Sequence, residues 1–89
     1  MMQSVEAIHG HPLPSPDSTG DELFKMGLAY SIGQGGARID YVSAHMLFNL
    51  AAMRGSLEAK VYRKELSSEM EAEEVAEAQR AAREWLAHA

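Results

Sequence analysis

Histidine is the residue type in this chain best suited to bind a metal ion or to transfer a proton near neutral pH, and the chain has 4 of them. His9 and His11 lie two positions apart and could place two imidazoles on one zinc, copper or nickel ion. Two ligands do not complete a metal site, and His45 and His88 would have to converge on it from distant elements. We therefore predict no metal and no cofactor, and we interpret His9 and His11 as part of a solvated tail.

Patterns for catalysis and phosphate binding are incomplete in this sequence. His45 and Asn49 are four residues apart on a predicted helix and could form a polar pair, which favours a packing or hydrogen-bonding role over that of a general base. The Gly-Gln-Gly-Gly segment at 33–36 follows a predicted helix rather than a strand and lacks the Gly-Lys-Ser/Thr ending of a phosphate loop. No cysteine is present, and no serine lies in a nucleophile-elbow motif. We predict that the protein is not an enzyme.

Length and composition indicate one small domain, since the chain has 89 residues, of which 46% are hydrophobic and 24% charged. The 13 acidic and 8 basic side chains give a net charge of −5, which argues against a general nucleic-acid binder because affinity for phosphates comes mainly from Lys and Arg. No apolar run approaches the ~18 residues of a membrane span, and the first residues lack the basic and apolar regions of a secretory signal. We predict a cytoplasmic protein without membrane insertion.

Charge is segregated along the second half of the chain. Residues 54–64 carry four basic side chains against Glu58 alone, a net charge of +3, whereas residues 65–77 carry six glutamates and no base, a net charge of −6. Two interpretations stay open. The charges belong either to a solvated surface or to a bipolar surface that orients a charged partner or a second copy of the chain.

The positions of the prolines and the spacing of the apolar residues predict the secondary structure that carries these residues. All 3 prolines lie in residues 1–16, which we predict to be a flexible N-terminal tail. From residue 17 to 89, apolar residues recur at the three- and four-residue spacing of helices. Capping residues and glycine stops divide this domain into four predicted helices. The first begins near Thr19, where Thr19 and Glu22 form a capping box, and has its body over residues 23–32. The others cover residues 41–53, 57–66 and about 72–87, with Asp40 and Ser56 as the N-caps of the second and third.

A set of glycine, alanine and aromatic residues follows the order and spacing of a known helical repeat. We call this set the repeat signature. It comprises Gly27, Tyr30, Gly33, Gly35, Asp40, Ala44, Phe48, Ala51, Ala52, Gly55 and Ala59. In these residues the chain resembles the Sel-like repeat family, short α/α repeats related to tetratricopeptide repeats, and the resemblance covers residues 22–59. It implies an all-α fold of about four helices, packed as two helical hairpins in a short right-handed solenoid.

The chain departs from the family pattern in ways that bear on its fold. Gly36 lengthens the hairpin loop, Ser43 replaces the usual Lys, and Leu47 stands where the pattern usually has Trp. After Ala59 the pattern decays, so that one full repeat is followed by a divergent hairpin similar to the terminal cap of a solenoid. Because stacked repeats generally need about three units to bury a continuous core, a protein partner or self-association is expected.

The resemblance also implies a function, since repeats of this type act as non-catalytic protein-interaction or scaffold modules. Their concave face is made by the first helices of successive hairpins, which places a partner groove beside the first and third helices. The residues expected to contact the partner protein are Phe24, Lys25, Leu28, Lys60, Tyr62, Arg63 and Trp85. Trp85 could equally seal the last helix onto the others. The alternatives are a structural homodimer or a small regulatory subunit of a larger bacterial complex.

Overall fold

The computed structural model of the chain describes residues 14–88, and within them it has four α-helices and no strand. The helices are α1 (Gly20–Ile32), α2 (Tyr41–Met53), α3 (Leu57–Ser67) and α4 (Ala72–His88), with a 3-10 turn (Gln34–Gly36) between α1 and α2. The predictions of an all-α fold and of four helices are confirmed. Most of the predicted tail over residues 1–16 lies outside the described residues, and so do His9 and His11.

The side chains predicted to cap the helices do so. The Glu22 amide donates to Thr19 Oγ1 at 3.0 Å, and the Thr19 amide donates to Glu22 Oε1 at 2.9 Å, which completes the capping box of α1. Asp40 and Ser56 each accept a hydrogen bond of 3.1 Å from an amide in the first turn of α2 and α3 respectively. Gly33 ends α1 in the left-handed conformation, with φ at 72°. These caps satisfy backbone groups that have no partner within the helix, so the helix ends are set locally.

Helix α2 is the centre of the fold, and α1, α3 and α4 each pack directly against it. The buried core that results includes Leu23, Phe24, Ala44, Leu47, Phe48, Leu50, Ala51, Ala59, Leu66 and Ala82. Alanine makes up much of this core, and small side chains allow helix axes to approach closely. Because α2 is surrounded on three sides, its buried residues are not confined to one narrow stripe.

Helices α3 and α4 have few direct contacts with each other. Each packs on α2 instead. The buried alanines of the two helices are Ala59 on α3 and Ala78 and Ala82 on α4. The two helices of the second predicted hairpin therefore contact α2 more than they contact each other. The packing of the four helices as a right-handed solenoid stays a prediction.

Arg54, the residue that follows α2, connects two remote parts of the chain. Its Nη1 donates to the carbonyl oxygens of Pro16 at 2.8 Å and Ser18 at 2.7 Å. Its guanidinium carbon also lies 5.5 Å from the centre of the Trp85 ring on α4, within the range of an attractive cation–π contact. The segment before α1 and the last turns of α4 are thus both attached at the C-terminal end of α2.

Gly20, the first residue of α1, is buried against this same end of α2. A Cβ atom at this position would lie 2.7 Å from the Arg54 carbonyl oxygen and 3.2 Å from that of Ala51, and neither oxygen can move without moving α2. We expect Gly20→Ala to lower the free energy of unfolding by about 1–3 kcal/mol, measured by urea denaturation. A gain in stability, as alanine gives at an uncrowded helical position, would show that the two helices do not approach this closely.

Candidate functional site

An open groove lies between α1 and α3, over the face of α2 that carries Phe48. It is lined by Leu28, Ser31 and Ile32 from α1, Tyr41 and Phe48 from α2, Tyr62, Glu65 and Leu66 from α3, and Glu69 just beyond α3. Ile32 is 63% exposed and Tyr62 42% exposed. The groove therefore presents large apolar side chains at the surface of the protein.

Three aromatic rings, which we call the aromatic cluster (Phe24, Phe48 and Tyr62), pack together at this groove. Phe48 and Tyr62 line it, and Phe24 contacts both of their rings. The Phe24 and Phe48 ring centres are 5.8 Å apart, and those of Phe48 and Tyr62 are also 5.8 Å apart. Phe24 and Tyr62 meet edge to face, with ring centres 5.1 Å apart and planes at 76°. Aromatic pairs attract one another in this range. The cluster joins α1, α2 and α3, and it holds the half-exposed Tyr62 ring in a defined position.

The structure brings three of the predicted partner-contact residues together at the groove. Leu28 and Tyr62 line it from opposite sides, and Phe24 packs against the Tyr62 ring. Lys25 is exposed on α1, where its Nζ lies 3.2 Å from Asp21 Oδ2 in an ion pair of the helix surface.

The remaining predicted contacts, like Lys25, lie away from the groove lining. Lys60 is exposed on α3. Arg63 is directed at α2, where its Nη1 donates to Asn49 Oδ1 at 2.5 Å. Trp85 is half-buried on α4 and packs against the core beside Arg54, so it contributes to holding α4 in place.

The residues of the repeat signature occupy packing, capping and turn positions. Ala44, Ala51 and Ala59 are fully buried, Phe48 is buried, Tyr30 and Ala52 pack against the core, Asp40 caps α2, Gly27 lies under the Phe48 ring, and Gly33, Gly35 and Gly55 have positive φ. Each signature residue thus has a structural role in α1, α2 or the connections that follow them.

The groove has an acidic edge that the sequence predictions did not include. Glu65 and Glu69 line it and are both exposed. The predicted charge contacts were bases on the first and third helices. Helical spacing could have identified Glu65, because a residue three positions after Tyr62 lies on the same side of a helix as Tyr62 itself. Glu69 follows the end of α3, where helical spacing no longer applies.

A second polar cluster lies on α2 and α3, around the buried His45 side chain, which is 1% exposed. His45 Nε2 is 2.8 Å from Ser67 Oγ, and the Ser67 hydroxyl donates to the Arg63 carbonyl oxygen at 2.9 Å. Since a hydroxyl has a single hydrogen, His45 Nε2 must carry a proton and donate it to Ser67. His45 and Asn49 therefore do not pair with each other as the sequence suggested, because each bonds to a residue of α3 instead.

The environment of His45 favours the neutral imidazole. Burial lowers the pKa of His45 below its ordinary value of 6.5, and the positive charge of Arg63 lowers it further. Its Nδ1 atom is buried and has no hydrogen-bond partner among the residues that the structure describes. Protonation would therefore place a charged N–H group where no described acceptor receives it.

The His45–Ser67 pair resembles the start of a catalytic dyad in its distance but differs in the direction of its hydrogen bonds. A nucleophilic serine donates its proton to histidine, and a carboxylate orients the other ring nitrogen. Here the Ser67 proton is directed at a backbone carbonyl, and Nδ1 has no carboxylate partner in the described range. The arrangement is that of a polar contact between two helices.

Residues 14–88 form neither a metal-binding cluster nor a membrane-spanning helix. No group of three or more His, Cys, Asp or Glu side chains there is arranged to hold a metal ion. Among the same residues, no helix has the length and apolar character needed to cross a membrane.

Comparison with known proteins returned no matching family model, no similar curated protein and no similar solved structure. The resemblance to Sel-like repeats therefore stays a prediction from the residues themselves. The groove and the polar cluster around His45 are the structural features that bear on function.

Proposed function

We propose that this chain is a non-catalytic protein-interaction module that binds a segment of a partner protein in the groove between α1 and α3. The observation that carries the proposal is the set of large apolar side chains exposed there, above all Ile32 and Tyr62. Partner segments typically insert apolar anchors into grooves of this kind. The aromatic cluster supports the proposal, because side chains already fixed in position lose little conformational freedom on binding.

We further propose that the fold is one Sel-like repeat followed by a divergent capping hairpin. Its support is the agreement between the signature residues and their packing, capping and turn positions in α1, α2 and the start of α3. The interaction role is the one that this resemblance implies.

The proposal is tested with Ile32→Ser, which removes an exposed apolar anchor without disturbing the core. Peptides are first selected from a displayed random library on the immobilised wild-type chain, and their affinities are then measured by fluorescence anisotropy. We expect Ile32→Ser to weaken binding about ten-fold, as loss of one buried aliphatic side chain should.

Leu57→Ser is the matched control, because Leu57 is an exposed aliphatic residue, 74% accessible, at the start of α3 and outside the groove lining. We expect it to change the affinity less than two-fold. Selection of no peptide, or equal effects of the two substitutions, would show that the groove is not the binding site.

A further inference from the structure

The acidic edge of the groove, formed by Glu65 and Glu69, has no basic side chain opposite it. Within residues 14–88, the one ion pair closer than 4.0 Å joins Lys25 to Asp21, so neither glutamate is neutralised in this way. Glu65 lies in the last turn of α3, and Glu69 lies two residues beyond the end of that helix, so both carboxylates are at its C-terminal end. They present two carboxylates along one side of an apolar groove.

The two lysines of α3 lie on the flank of the helix away from the groove. With 100° between successive residues of a helix, Lys60 and Lys64 fall on the side opposite to Tyr62 and Leu66. Neither lysine lines the groove. Lys60 and Lys64 therefore lie on the side of α3 away from the groove, whereas Glu65 and Glu69 border it.

The walls of the groove determine which backbone conformation a bound segment can adopt. Both walls are α-helices, whose backbone groups are already bonded within each helix, so they offer no strand edge to an extended peptide. A helical segment satisfies its own backbone groups and needs only side-chain contacts.

From these features we propose that the groove binds a basic amphipathic helix of a partner protein. Its apolar face would pack on Leu28, Ile32 and Tyr62, and Lys or Arg residues beside that face would pair with Glu65 and Glu69. This inference rests on the proposed function and adds the chemical class of the partner.

The test uses two synthetic helical peptides with an identical leucine face, one with lysines and the other with glutamates at the flanking positions. Binding of each labelled peptide to the full chain is measured by fluorescence anisotropy at low and at high salt. We expect the lysine peptide to bind about ten-fold more tightly than the glutamate peptide at low salt, and the difference to shrink as salt screens the charges.

Glu65→Gln combined with Glu69→Gln removes the acidic edge while keeping the size of both side chains. We expect this pair to weaken the lysine peptide about five-fold and to reduce its salt dependence. The matched control is Glu73→Gln combined with Glu77→Gln, two exposed glutamates with the same spacing on α4. It changes the net charge equally, and we expect it to change the affinity less than two-fold.

The outcomes separate this inference from the proposed function. If both peptides bind equally and Ile32→Ser weakens both, the groove is a binding site without charge preference, and only the inference of a basic partner is wrong. If the two pairs of glutamate substitutions have equal effects, attraction comes from the net charge of the chain, and that inference is again wrong. If neither peptide binds at the groove, the proposed function fails as well.

Discussion

Phe48→Ala is expected to lower the free energy of unfolding by about 3–5 kcal/mol, the largest effect of any single substitution considered in this protein. Phe48 is 1% exposed, and it is in the aromatic cluster, which joins three of the four helices. Truncation would leave a cavity bordered by Phe24 and Tyr62, whose rings would lose contacts on one side. Because domains are commonly stable by only about 5–15 kcal/mol, the loss should be plain in a urea titration followed by circular dichroism.

Gly27 provides the control for this prediction. A Cβ atom at Gly27 would lie 2.6 Å from two carbon atoms of the Phe48 ring, so Gly27→Ala alone should destabilise the fold by about 1–3 kcal/mol. In the Phe48→Ala background the ring is gone, and the same alanine should be neutral or stabilising, since alanine favours helix more than glycine does. Simple addition of the two single effects in the double variant would contradict the contact.

The boundaries of the helices could be predicted from the sequence because local chemistry sets them. Capping by Thr19, Asp40 and Ser56 fixed three helix starts, and the structure places the corresponding caps where they were predicted. The third and fourth helices each extend one residue beyond the predicted range, to Ser67 and His88. The last residue of a helix depends on the hydrogen bonds of its last turn rather than on the pattern of apolar residues.

The contacts between helices could be predicted only in part, because they depend on how each helix is rotated against its neighbours. Periodicity identified Ala44 and Ala51 as packing residues, and both are fully buried. It did not reveal that α3 turns the Arg63 guanidinium towards Asn49, nor that α4 packs on α2 rather than closely on α3. The sequence did not indicate a role for Gly20, because the Arg54 carbonyl that it approaches belongs to a residue far away in the chain.

The predicted binding site depends on the rotation of the helices in the same way. Aromatic and aliphatic residues of the first and third helices were expected to form a groove, and Leu28 and Tyr62 do line one. The charges of that groove depend on which flank of α3 faces it, and a shift of one or two residues along a helix moves a side chain to another side. The run of bases before residue 64 and the run of glutamates after it are adjacent in sequence. Only the packed structure shows which of them borders the groove.

Acidification is expected to destabilise the protein through His45, at pH values where most carboxylates are still ionised. The pKa of His45 is lowered in the folded state from its ordinary value of 6.5 by burial and by Arg63, so the unfolded chain binds a proton at a higher pH than the folded chain. Below pH 6.5 the unfolded state therefore holds more protons, and the free energy of unfolding falls as pH falls until the folded state is protonated too. For one proton the slope approaches about 1.4 kcal/mol per pH unit.

His45→Gln tests this expectation, because a glutamine amide can still donate to Ser67 Oγ but does not titrate. Urea denaturation of the wild-type chain between about pH 7.5 and 5 should show stability falling with pH, and His45→Gln should remove most of that fall. His88→Gln, which changes an exposed histidine at the end of α4, should leave the fall unchanged. If His45→Gln kept the wild-type slope, proton uptake by His45 would not be the cause of the loss of stability in acid.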